Sequence, residues 1–173
     1  MKKTSDNPKA IRWLLIAVEI LASVAILAII LPTVLRERVR EDVTVSEAEV
    51  AFLEAAAPGE DETMKAPGNA LELRKTYGID PSSLEGFYFR LPASNMDVME
   101  EVFLIAPSEK EAKACLTALE ERLAARKKDF ESYGVEQMKY LNGAVVRQKG
   151  RYAFLIISPN AEEKQEALLK LFR

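Results

Sequence analysis

Asp97, Glu100 and Glu101 fall within five residues of one another, just after Ser94 and Asn95. Carboxylates so spaced can divide general acid and general base roles between them. The chain holds 27 acidic residues, however, so acids close in sequence are expected by chance and none of the three is assigned a catalytic role. The sequence has no histidine and one cysteine, which removes His-ligated zinc, the Ser-His-Asp triad, Cys-His nucleophiles, a histidine pH switch and any internal disulfide. Cys115 adjoins the apolar stripe of a predicted helix and reads as a small buried hydrophobe. A dinucleotide fingerprint, a Walker loop and a Ser-x-x-Lys pair are all missing from the sequence. The acidic run Glu60, Asp61, Glu62 lacks the oxygen-converging turn that a hard cation needs and reads as a solvated loop. Neither a cofactor nor a metal is expected.

Three groups of residues are instead candidates for partner contact. Glu19, with Ser23 one helical turn on, is an acid inside an apolar block, where it implies either a helix partner or a proton taken up near the interface. Ser94 and Asn95 lie in a predicted loop between two strands. Arg147, Lys149 and Arg151 gather around a turn at Gly150; strand alternation puts the first two on one face, either to solvate the turn and deter edge pairing or to meet an anionic target.

These candidates sit in two unlike regions. Residues 13–31, WLLIAVEILASVAILAIIL, carry one charge, and with their apolar extension to residue 35 they have the length and flanks of a transmembrane helix. The expected layout is a cytoplasmic tail at 1–12, a transmembrane helix at 13–35, a linker at 36–45 and an extracytoplasmic domain at 46–173, oriented by the short basic tail. A pilin-like subunit is an alternative suggested by Glu19, although Leu14 stands where processing requires Gly or Ala. After residue 40 the chain has 17 basic and 24 acidic side chains, which disfavours a nucleic-acid partner.

In the charged region Ser46 with Glu49, Ser108 with Glu111 and Asn160 with Glu163 have capping-box spacing, and Asn69 and Gly78 bracket a further short helix. LEGFYFRLP and VMEEVFLIAP alternate as strands, and AVVRQK and RYAFLIIS form a hairpin through Lys149-Gly150. The reading is an α+β fold: an N-terminal transmembrane helix, then two short helices and two strand-strand-helix units forming a four-stranded antiparallel sheet packed with helices.

The blocks YGIDPSSLEGFYFRLPASNMDVMEEVFLI, LEERLAARKKDFESY and LNGAVVRQKGRYAFLIIS resemble a family of small extracytoplasmic domains of Gram-positive bacteria known only as a domain of unknown function, over Val43 to the C-terminus. That resemblance implies membrane tethering and no established activity. The expected function is a single-pass, membrane-anchored accessory or binding module of the cell envelope, its partner an envelope protein or anionic polymer. An envelope enzyme of unknown type is the alternative, and the sequence leaves the oligomeric state open.

Overall fold

The computed structural model describes residues 18–28, 39–132 and 134–173. Two compact units divide the chain, Met1–Arg38 and Val39–Arg173. In the first unit residues 18–28 form an exposed apolar helix, α1. Among the described residues no helix is long and apolar enough to cross a membrane. The transmembrane helix expected over 13–35 is therefore corrected, together with the single-pass topology and the inside–outside orientation that rested on it. The tail at 1–12 and the remaining parts of that block lie outside the described residues.

The second unit begins where Arg40 N–H donates to Phe172 O at 3.1 Å and Val43 N–H to the Tyr152 hydroxyl at 3.1 Å, so its two ends are tied together. Helix α2 (Val45–Glu54) is capped by Thr44, whose hydroxyl accepts from Glu47 N–H while the Glu47 carboxylate accepts from Thr44 N–H. This is the capping box expected at Ser46, two residues earlier. The short α3 (Glu60–Thr63) forms inside the segment expected as a loop. Asn69 caps α4 (Ala70–Tyr77) with Glu72, and Gly78, at φ 69°, ends it in the left-handed conformation that glycine adopts most readily.

Strands β1 (Gly86–Arg90) and β2 (Glu100–Ile105) precede the long α5 (Glu109–Phe130), capped by Ser108, and α6 (Val135–Asn142). The hairpin β3 (Val145–Lys149) and β4 (Tyr152–Ile157) and the helix α7 (Ala161–Leu171) complete the chain. Asn160 makes no side-chain cap for α7; its amide donates to Ala55 O instead.

All strand pairs are antiparallel, in the order β1-β2-β4-β3, so the expected four-stranded sheet with packed helices is present. Alternation along the strands sorts the core into two layers. Phe89, Val102, Leu104 and Leu155 point to one face, where Leu73 and Tyr77 of α4 and Ala112, Cys115 and Leu119 of α5 cover them. Tyr88, Phe103, Phe154 and Ile156 point to the other, under Ala48 and Phe52 of α2 and Leu168 of α7. There the rings of Phe103, Tyr152 and Phe172 stack with centroids 5.0–6.4 Å apart. With both faces covered, the sheet has only its edges left to offer.

Candidate functional site

The two edges are treated differently. Beyond β1 the segment after α3 runs alongside the strand: Lys65 N–H donates to Leu91 O at 2.8 Å, Gly68 N–H to Phe89 O at 2.9 Å, and Ala93 N–H to Thr63 O at 2.8 Å. Gly68 is required by this close approach, since a Cβ there would overlap the Phe89 ring. The protein's own chain thus borders the C-terminal end of β1 and the residues that follow it, with Phe89 O the acceptor within the strand.

At the opposite edge, β3 turns into β4 through the two residues Gly150 and Arg151, with Gly150 at φ 55° and Lys149 paired with Tyr152. A two-residue hairpin makes that closing pair hydrogen-bonded, and bonded pairs then alternate along the ladder. The backbone groups of Val145, Arg147 and Lys149 therefore face β4, and those of Val146 and Gln148 face outward. Among the described residues no backbone group pairs with this outer edge. The Gln148 side chain folds back, its Nε2 donating to Glu109 O at 2.8 Å and Gly150 O at 3.0 Å, which steadies the strand against the start of α5.

Register also places the cations singled out in the sequence. Arg147 and Lys149 pair with Phe154 and Tyr152 and so share the α2–α7 face of the sheet. Arg147 is exposed, and among the described residues no ion pair involves it. Arg151 is separated from the other two in function: its guanidinium is paired with Glu85 and lies 5.9 Å from the centroid of the Tyr152 ring.

The carboxylates after the Ser94–Asp97 loop point in opposite directions. Glu100, fully buried, receives two hydrogen bonds from Arg122 of α5, at 3.2 and 2.9 Å, and one from the Tyr77 hydroxyl at 2.8 Å. Burial, then the Glu100 charge, raises the Tyr77 phenol well above its ordinary pKa. On the other face Glu101 receives a hydrogen bond from Lys164 Nζ at 2.5 Å, and Glu60 receives one from the same ammonium at 2.6 Å. Lys164 is itself fully buried. Arg90 lies directly across the ladder from Glu101, and the second Glu101 oxygen has no hydrogen-bond partner. Burial outweighs the attraction of Lys164 and holds the Glu101 carboxyl above its ordinary pKa. Glu60, expected in a solvated run, is instead buried because Lys164 needs it.

The remaining candidates are dispersed. Ser94 and Asn95 are exposed; the Ser94 hydroxyl accepts from Met96 N–H at 3.2 Å, and Asp97 uses its carboxylate on Val98 and Met99 N–H at 2.6 and 3.2 Å. Arg126 and Gln137 hold this loop by donating to Asp97 O and Met96 O at 2.6 and 3.2 Å. Glu19 and Ser23 are exposed on α1, where the Ser23 hydroxyl donates to Glu19 O at 2.8 Å. Cys115 is buried, and burial raises its thiol pKa. A groove of about 430 Å³ between α2 and α7 is lined by Val50, Ala51, Ala167 and Leu171, with Glu47, Glu54 and Lys170 at its sides. No group of three or more acidic or cysteine side chains among the described residues could hold a metal ion. The enzyme alternative therefore gains no support from the buried acids, each of which is taken up by a helix contact.

The turn expected at Lys149-Gly150 is made instead by Gly150 and Arg151, and because a one-residue shift exchanges inward and outward backbone groups, the open amides of Val146 and Gln148 were missed by the sequence reading. The contacts at the end of β1 had no sequence signal either, since they are made by main-chain atoms of a segment with loop composition.

None of the curated proteins and none of the solved structures matches the chain. Residues 57–158 match the family described as Domain of unknown function (DUF4358). The matched stretch includes all four strands and both edges and excludes α2 and α7. Nothing in this match or in the fold supports the membrane-tethered, extracytoplasmic character that the sequence resemblance implied, so the envelope module, its membrane partner and its location at the cell membrane are corrected as well. With more than half of its length matched, the chain belongs to the DUF4358 family.

Proposed function

We propose that Val39–Arg173 is a recognition domain that binds an extended segment of a partner polypeptide by strand addition at β3. The observation that carries this reading is the difference between the two sheet edges: Phe89 O and Leu91 O, at the end of β1 and just past it, accept from Gly68 and Lys65 of the same chain, while the outward N–H and C=O groups of Val146 and Gln148 have no backbone partner among the described residues. Unpaired edges invite uncontrolled pairing, so folded proteins usually cover or blunt them. An added strand gains affinity from main-chain hydrogen bonds and specificity from alternate side chains. The buried acids favour the same reading by what they do, since Glu100 and Glu101 anchor α5 and α7 to opposite faces of the sheet.

Panning random linear peptides against the full chain tests this. Peptides retained by the wild type should be lost by Val146→Pro, which removes one outward donor and leaves the β4 ladder bonds in place. Retention by both proteins, with the variant's melting curve close to wild type, would place recognition elsewhere, for example in the α2–α7 groove.

A further inference from the structure

Resting on the strand-addition reading, we infer that the segment accepted by β3 is acidic at every second residue, its carboxylates lying beside Arg147 and Lys149 on the α2–α7 face. Side chains directly opposite each other in an antiparallel pair lie on the same face with Cβ atoms about 4.5–5.5 Å apart. The ladder register puts Val145, Arg147 and Lys149 on one face of β3 and Val146 and Gln148 on the other. An incoming strand therefore meets two cations on one face and an aliphatic and an amide side chain on the other.

A second copy of β3 is a poor occupant. Antiparallel pairing through the outward groups of Val146 and Gln148 allows three central registers. One sets Arg147 opposite Arg147, another sets Arg147 opposite Lys149 twice, and the third sets Arg147 opposite Val145. Like charges directly opposite destabilise a ladder, so two of the three registers are opposed by charge and the third forms no compensating pair. A strand with carboxylates at those positions meets attraction in each. The exposed Arg147 is the stronger determinant, because it has no ion pair to give up among the described residues. The acidic balance after residue 40, 17 basic to 24 acidic side chains, makes an acidic peptide unwelcome over most of the remaining surface.

The test uses the full chain and three synthetic seven-residue peptides: valine alternating with glutamate, valine alternating with lysine, and the glutamate peptide N-methylated on the amides that would face β3. Binding is followed by fluorescence anisotropy and by amide exchange at Val146 and Gln148. The glutamate peptide should bind, protect both amides and weaken in high salt. Arg147→Ala should weaken it about two- to fivefold, the range expected for one cross-strand charge pair. The lysine peptide should bind less tightly, and N-methylation should abolish binding. If both unmethylated peptides protect the edge amides equally, acidic selection is wrong and strand addition stands. If neither protects them, the strand-addition reading fails and the acidic preference with it.

Discussion

Glu101 and Lys164 form part of a buried arrangement in which one ammonium serves two carboxylates, with Arg90 across the ladder. Removing the ammonium alone would strand two acids in the interior. Lys164→Met should therefore destabilise the protein by about 3–5 kcal/mol at neutral pH, measured by urea unfolding. The triple variant Glu60→Gln, Glu101→Gln, Lys164→Met should recover much of that loss, because it removes the charges together; equal destabilisation by the single and triple variants would show that Lys164 acts through packing. Glu101 also gives stability a pH dependence of definite sign. Its carboxyl pKa is raised in the folded state, so its contribution is fully present below its unfolded value of about 4.3 and is lost as pH rises through the folded value. Between pH 4 and pH 8 the stability of wild type relative to Glu101→Gln should fall, by about 1.4 kcal/mol for each unit of elevation. A difference independent of pH would mean that the carboxyl is not held above its ordinary value.

Among the elements, α2 and β3 separate what the sequence made legible from what it did not. The alternation of Val102 and Leu104 against Phe103 and Ile105 gave both faces of β2 correctly, because a strand buried on both sides still sends alternate residues to opposite layers. Capping was less determinate: Thr44-x-x-Glu47 and Ser46-x-x-Glu49 have the same spacing, and the former is used, with Arg40 bridging to Glu47 at 2.9 Å. Thr44→Ala should cost about 1 kcal/mol and Ser46→Ala less, by thermal or chemical unfolding; the reverse order would restore Ser46 as the cap. The Glu60–Lys164 contact joins residues 104 positions apart, beyond the reach of local pattern. At β3 the alternation of backbone groups makes neighbouring proline substitutions unequal. Arg147→Pro removes a donor from the β4 ladder and should destabilise clearly more than Val146→Pro, whose lost donor faces outward. Similar losses for the two would contradict the assigned register.

Across the whole second unit, helices cover both faces of the sheet and a chain segment borders the end of β1, while the outer edge of β3 has no backbone partner among the described residues, and the family match spans that edge. The apolar block near the N-terminus dominated the sequence-level view of the molecule, because composition reports hydrophobic length directly and reports an open edge only through hydrogen-bond geometry. Recognition at β3 requires that the edge be open in the free protein and occupied in the complex. Residue-resolved amide exchange of the full chain, alone and with the valine–glutamate peptide, measures both. In the free protein Val146 and Gln148 amides should exchange much faster than those of Val145, Arg147 and Lys149, and peptide should slow the first two to the rate of their neighbours. Protection of Val146 and Gln148 before any peptide is added, or rates unchanged at saturating peptide, would contradict strand addition at this edge.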